Sequence, residues 1–474
     1  MTVAHDPAPS TPRSFRDPAG TLIEHHGRIL RVVYPQAAAD LESFLETAAA
    51  REGMESGKLV RSVRIPASEF PEGSADYVVE HERIPFASYP YEWPPEMLHA
   101  AGELTIELAR RALADGFGLK DATPYNVLFR GSEPVFVDVL SFERRDPLDA
   151  SWMPYAQFVR TFLLPLLAAR HFGMPLDRVL AGARDGLEPE TVYRWAGAFQ
   201  RLRPPFLNLV SIPTWLKGRE SAAMYRPQPS SSAEKAQFVL EGLLKNCARH
   251  LKALAPPVSD STWSGYLDHK SLYSAEQLAQ KEGFVAEALA LARPHTVLDV
   301  GANEGHFSSL AAKQGASVVA IDSDPAVVGS IWRRAKREHA DILPLVVDLT
   351  RPTPAIGWRN QECAAFLDRA RGRFDMVVML AVLHHVLVTE RIPIQQVLEL
   401  ASELTREYVL IEFVAPDDPM FRRIVRGREG LYSHMTQAWF EAAAAERFDP
   451  VRTKRIDGLN RWLYLFRRRG APNS

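Results

Sequence analysis

The chain has 474 residues, 46% of them hydrophobic, and a formal net charge of −2. That length exceeds one ordinary core and calls for two or three domains, while the near-neutral balance gives no global attraction to nucleic acid. Two distant cysteines, Cys247 and Cys363, exclude a disulfide framework and a cysteine-only metal site, and no apolar run reaches membrane-spanning length.

Residues 1–20 are rich in Pro, Ala, Ser and Thr without an apolar core segment. They read as a disordered lead rather than a signal peptide, so the expected location is cytoplasmic. Thr21–His25 and Ile29–Tyr34 read as a strand pair, Ala37–Arg51 as a helix, and Lys58–Pro66 and Tyr77–Ile84 as further strands. From Pro94 to Gly116, Met97, Leu98, Ala101, Leu104, Leu108 and Leu113 fall near one helical face. Leu119–Phe129 and Pro134–Phe142 flank a Gly131–Ser132 turn, and helices dominate from Tyr155 to about Phe206. Pro227–Ser232 is the best linker. Ala233 to about Leu254 is a helix, and Ser274–Ala292 is another, opened by a capping box of Ser274 and Gln277. The expected organisation is a lead at 1–20, an α+β domain at 21–226, a linker and helical lid at 227–290, and an α/β domain at 291–474.

The most informative stretch is Val297–Leu298–Asp299–Val300–Gly301–Ala302–Asn303–Glu304–Gly305, followed about twenty residues on by Ala320–Ile321–Asp322. It reads as a buried strand, a glycine turn, a helix and a second strand ending in an acid, which is how a nucleotide-like cofactor is held at a parallel sheet edge. Leu345–Leu349 is a short apolar run carrying Asp348 and Leu349. Arg373–Leu380 is another buried strand, and Ala381–His385 follows it. Tyr408–Phe413 contains Glu412, and Pro450–Ile456 and Arg461–Phe466 close the chain as two strands around an Asp457–Asn460 turn. Arg467–Arg469 reads as a solvated basic end. Taken singly, Gly301 and Gly305 suit plain turns, and Asp322 suits a helix N-cap before Pro325, although Asp324 can fill that role.

The D-x-G-x-N-x-G form of residues 299–305, with Asp322, Asp348 and the Phe374–Asp375…Leu383–His384–His385 segment, resembles class I S-adenosylmethionine (SAM)-dependent methyltransferases over about Val297 to Arg468. The resemblance implies a Rossmann-like, doubly wound sheet with SAM as cofactor. It implies that Asp299 faces the cofactor's ammonium, that Gly301, Asn303 and Gly305 shape the turn, and that Asp322 takes the ribose hydroxyls. It places Asp348 on the adenine amino group, with Leu349 and Leu380 beside it. His384 and His385 sit just past the fourth strand, where the methyl would point, and imidazole titrates near neutrality, so either is a candidate base. Glu412 is a third catalytic candidate, through substrate orientation or charge. Tyr432 and His434 are second-tier candidates over the substrate, and Tyr266, Tyr273 and Lys281 are candidates for a lid or for ordinary packing. The adjacent histidines make a poor chelate, and no metal cluster is expected.

Upstream, Asp121 and Asn126 lie five apart, and Asp138 ends a later apolar run. This spacing resembles the protein-kinase catalytic loop and its metal-binding Asp, so residues 21 to about 206 are expected to form an α+β kinase-like domain. The departures are plain. Leu119–Lys120 replaces the usual His-x, there is no glycine-rich phosphate loop, Leu140 stands in place of a glycine, and Lys58 is the only lysine for phosphate. Asp121 and Asn126 also suit loop hydrogen bonding alone. The whole chain is loosely similar to the host-specificity nodulation-protein type of methyltransferase, which implies a small-molecule or glycan-related acceptor; from charge and hydropathy, no nucleic-acid or membrane partner is expected. The leading reading is a SAM-dependent methyltransferase with a kinase-like accessory domain. A phosphotransferase with a regulatory SAM-binding domain and a non-catalytic SAM-binding scaffold are the alternatives.

Overall fold

In the C-terminal half, apolar runs too short for helices are separated by helices of regular period, so successive strands must return to one sheet in parallel. The computed structural model describes residues 17–66, 69–70, 77–217, 229–257, 273–425 and 427–471. Most of the expected lead, part of the linker (Pro227 and Gln228) and Tyr266 lie outside the described residues.

The N-terminal half begins with an antiparallel sheet of β1 (Gly20–His25), β2 (Arg28–Val33), β3 (Ser62–Ile65) and β4 (Val78–His81), ordered β1-β2-β4-β3. The helical pattern expected over Ala37–Arg51 divides into Pro35–Leu45 and Ala48–Glu55, because Thr47 takes an extended conformation and its hydroxyl caps the second helix by accepting from Ala50 N. The helix α1 (Pro95–Ala114) follows. After it come two small ladders, β5 (Phe117–Leu119) with β8 (Phe142–Arg144) and β6 (Val127–Arg130) with β7 (Glu133–Phe136). The helix α2 (Ala233–Ala253) packs back on α1, where His99 Nε2 meets Leu251 O at 3.1 Å and Gly102 lies against the Leu251 side chain. It therefore extends the N-terminal half rather than reaching over the C-terminal cleft.

The helix α3 (Ala275–Ala292) leads into β9 (Thr296–Val300), α4 (His306–Lys313), β10 (Ser317–Asp322), α5 (Pro325–Glu338), β11 (Ile342–Val346), β12 (Phe374–Met379), α6 (Leu383–Val388), β13 (Thr405–Val414), β14 (Phe448–Arg455) and β15 (Arg461–Arg468). Seven strands form one sheet in the order β11-β10-β9-β12-β13-β15-β14, parallel except for β15, which runs against both neighbours. Alternation sends Val297, Val318, Ala320, Met376 and Val378 to a face covered by α3, α4 and α5. Leu298, Val319, Ile321, Val377 and Met379 face the other way, into a core that continues through the N-terminal half. Arg467–Arg469 is not a loose basic end: Arg467 bonds Glu407, Arg468 bonds Thr405 O and Arg469 bonds Asp449. Cys247 and Cys363 are buried and free.

The two halves meet through α5 and the segment before β12. Trp332 Nε1 donates to Ser132 O at 3.1 Å, Arg333 pairs with Glu96, and Lys336 with Glu133. Deeper in, fully buried Glu92 accepts from Thr353 Oγ1 at 2.5 Å and pairs with Arg369, whose guanidinium lies among the rings of Phe86, Tyr89 and Phe366.

Candidate functional site

The carboxyl ends of β9, β10 and β12 open onto a cleft of about 360 Å³, the position where open α/β sheets bind ligands. Its floor is the turn after β9. Gly301 has φ +67°, and a Cβ there would lie 2.4 Å from Val382 Cγ2, so only glycine fits. Gly301 N and Ala302 N both donate to Ile321 O, at 2.9 and 3.0 Å, clamping the turn onto β10. Asn303 continues in the left-handed region at φ +47°.

Asp322 closes β10 and ties this turn together. Its Oδ2 accepts from Asn303 N at 3.0 Å and its Oδ1 from Asp324 N at 3.1 Å. Two carboxylate oxygens offer about four acceptor positions, so capacity remains for a ligand. Burial raises its pKa above the ordinary range. Asp324 Oδ1 caps α5 through Ala326 N at 2.9 Å, leaving Asp322 free of that duty. Asp348, just beyond β11, accepts from Thr350 N and Oγ1 at 2.9 and 2.6 Å, and Leu349 and Leu380 form apolar walls. Asp299 lies inside, accepting from Ser308 Oγ at 2.5 Å; burial pushes it up to about 6 despite that bond. Ala381, also on the cleft, sits at φ +56°. Such strain in a non-glycine residue persists only where its surroundings enforce it.

The other expected site residues divide between the cleft and its surroundings. Gly305 does not line the cleft. At φ +72° it is the N-cap of α4, and its missing Cβ lets α4 approach Ile331 on α5. His385 lines the cleft, and burial lowers its pKa. His384 points away into the interior, 2% exposed, with neither ring nitrogen hydrogen-bonded. Burial, with His385 adding to it, drives it down to about 3, so it is neutral at pH 7. Glu412 is fully buried behind the cleft wall. Burial alone would raise it, but Lys281 and Arg461 hold it down at about 2, and Lys281 Nζ donates to it at 2.7 Å. An ionised carboxylate so enclosed neither touches an acceptor nor takes a proton near neutrality. Tyr432 and His434 line a separate hollow with Arg391 and Trp439. Tyr273 and Lys281 belong to the cleft wall. The sequence offers this pair for a lid or for ordinary packing; the signal for the cleft wall is a lysine at 281 within the apolar stripe of Leu278, Phe284 and Val285.

In the N-terminal half, Asp138 Oδ1 pairs with Arg31 Nη1 at 2.9 Å, and its Oδ2 accepts from Ser141 Oγ at 2.6 Å. Ser141 Oγ accepts in turn from Asn126 Nδ2 at 3.0 Å. Asp121 lies near enough to Asp138 that burial first and that neighbour second raise its pKa. Lys58 instead pairs with Glu107 on α1. Among the described residues, no three His, Cys, Asp or Glu side chains converge to hold a metal, and no helix is long and apolar enough to cross a membrane.

Sheet order, cleft and strand-end acids define a class I SAM-dependent methyltransferase, and a family profile described as a methyltransferase domain matches residues 268–469. Over 461 residues the chain is 30% identical to nodulation protein NoeA of Rhizobium meliloti (strain 1021), covering 96% of this chain and 95% of that one. The chain belongs to that protein's family. A 133-residue stretch is 29% identical to the O-antigen chain terminator bifunctional methyltransferase/kinase WbdD of Escherichia coli, covering 28% of this chain and 17% of that one. Among solved structures, the N-methyltransferase NodS from Bradyrhizobium japonicum WM9 aligns with 41% of this chain and 98% of its own, at 15% identity and a TM-score of 0.31. The cofactor is SAM. The residues present fit it: Asn303 Oδ1 is buried without a hydrogen-bond partner and calls for a donor, and Asp322 keeps acceptor capacity beyond its bonds to Asn303 N and Asp324 N.

Proposed function

We propose that this protein transfers a methyl group by in-line displacement to a small-molecule or glycan-related acceptor, with His385 as the residue that accepts the acceptor's proton. One observation carries the reading: Asp299, Asp322, Asp348, the Gly301 turn and His385 all border a single cleft. When bound, SAM supplies a sulfonium-activated methyl group, so no residue needs to activate the leaving group. Asp322 accepts from the ribose hydroxyls, Asp348 from the adenine amino group, and Leu349 and Leu380 exclude water from the base. The His385 imidazole, kept neutral by its surroundings, takes a proton from a hydroxyl or amine at a ring nitrogen. His384 and Glu412 support this wall from behind. The relatives' names bear on the acceptor: one is a nodulation protein and another terminates an O-antigen chain. Incubation with cell extract and radiolabelled SAM tests the proposal; a labelled glycan or small molecule supports it, and labelling of nucleic acid alone overturns the acceptor class.

His385→Ala should lower kcat by about 100-fold with SAM affinity little changed, whereas His384→Ala should act mainly on thermal stability. A His385→Ala enzyme turning over at the wild-type rate would remove the base assignment. A second expectation concerns pH. Asp299 has its pKa raised to about 6, and an ammonium beside it favours the ionised form. SAM affinity should therefore be full above pH 6 and fall about tenfold per unit below it. Calorimetry from pH 5 to 8 checks this, and a flat profile counts against the ammonium contact.

A second reading, phosphoryl transfer by the N-terminal half with SAM as regulator, has one observation in its favour. Asp138 pairs with Arg31 on β2, Asn126 reaches the same carboxylate through Ser141, and Asp121 lies near it. Against it, both Asp138 oxygens already have protein partners, and Lys58 is engaged elsewhere. Magnesium-ATP binding abolished by Asp138→Ala would revive it.

A further inference from the structure

The helix α3 buries a lysine where its period calls for an apolar residue. Lys281 is 4% exposed, and its Nζ donates to Glu412 Oε2 at 2.7 Å and approaches Tyr273 Oη at 3.5 Å. The Tyr273 hydroxyl donates to Glu412 and accepts from Arg461 Nη1 at 2.5 Å, and Arg461 grips Asp418 through Nε and Nη2 at 2.8 and 2.9 Å. The four ions, Lys281, Arg461, Glu412 and Asp418, sum to zero charge. An apolar cluster of the same volume would serve the fold at least as well. Two members of the network, Lys281 and Tyr273, also line the cleft, beside Asp299, Gly301 and Phe307. The Lys281 ammonium lies 4.9 Å from the Tyr273 ring centroid and 5.2 Å from that of Phe307. An ammonium has three donors, and Glu412 and Tyr273 account for two. Asp299 is close enough to Lys281 to feel its charge.

We infer that Lys281, braced by Tyr273 and Glu412, receives the carboxylate of the cofactor's amino-acid end while Asp299 faces its ammonium, so that this corner of the cleft is a slot for an α-amino-acid zwitterion. The inference rests on the proposed SAM site and goes beyond it, because it makes the free carboxylate a requirement for tight binding. Glu412 then acts by holding the lysine in position, which accounts for an acid at the end of β13 that no acceptor can reach.

Calorimetry with four nucleosides separates the possibilities: SAM, S-adenosylhomocysteine, decarboxylated SAM and 5′-methylthioadenosine, which lacks the amino-acid end. The wild-type protein should bind decarboxylated SAM about 30-fold more weakly than SAM, as expected for loss of a charge-assisted contact. In Lys281→Met that ratio should fall below about threefold, with 5′-methylthioadenosine affinity unchanged as proof of an intact cleft. Because Lys281→Met removes one of the two cations that face Glu412, the paired variant Lys281→Met/Glu412→Gln serves if the single one is unstable, and the same collapse of the ratio is expected. Equal wild-type affinity for SAM and decarboxylated SAM, or a ratio preserved in both variants, overturns the inference and leaves the cofactor site standing. Failure of the wild-type protein to bind any of the four overturns the cofactor site itself.

Discussion

Asp322→Ala is expected to weaken SAM binding by about 100- to 10,000-fold, since each of two ribose hydroxyls loses a hydrogen bond to a charged acceptor worth about 1.5–3 kcal/mol. The same carboxylate accepts from Asn303 N and Asp324 N, so its removal also loosens the turn that carries Gly301. Asp322→Asn keeps one acceptor oxygen and should lose less. The comparison separates the ribose contact from a general collapse of the turn, because a collapsed turn would affect 5′-methylthioadenosine and free adenine alike. Unchanged SAM affinity in Asp322→Ala, measured by calorimetry, would remove the ribose assignment.

The other large effect is expected far from the cleft. Arg369→Ala strands the fully buried Glu92 carboxylate, which among the described residues keeps Thr353 Oγ1 and Tyr89 N as donors. Breaking a buried pair by removing one partner destabilises by about 3–5 kcal/mol. The loss includes the packing of the guanidinium against Phe86, Tyr89 and Phe366. A fall in the urea midpoint measures it. Adding Glu92→Gln to Arg369→Ala should recover about half the loss, because the uncompensated charge goes with it. A midpoint unchanged in Arg369→Ala would show that the pair does not hold the halves together.

The C-terminal strands were readable because parallel strands buried on both faces are continuous apolar runs. One boundary moved for a physical reason. The run expected at Leu345–Leu349 is the strand Ile342–Val346, with Pro344 inside it. Proline reads as a break, yet β11 is the sheet edge, where a missing N–H is tolerated. In the N-terminal half, Thr47 divides a pattern whose apolar spacing runs on without interruption. Within the site, Asp299, Gly301, Asn303, Asp322 and Asp348 were readable because one strand–turn–helix unit and its two neighbours place them at set spacings. The separate duties of His384 and His385 were not, since adjacent residues share composition and differ only in the direction each side chain takes. Lys281, Tyr273, Glu412 and Arg461 come from α3, the segment before it, β13 and β15, and nothing in their spacing announces that they meet.

The shared core has a practical bearing on how this enzyme can be dissected. Phe86 of the N-terminal half packs against Phe366 and Phe374, and Arg333, Lys336 and Arg369 find their acids across the same boundary. A truncated catalytic fragment starting near residue 273 would emerge with bare aromatic rings and three orphaned cations along one flank. It would be prone to self-association, so the N-terminal half doubles as a built-in solubilising cover for the half that carries the methyltransferase cleft.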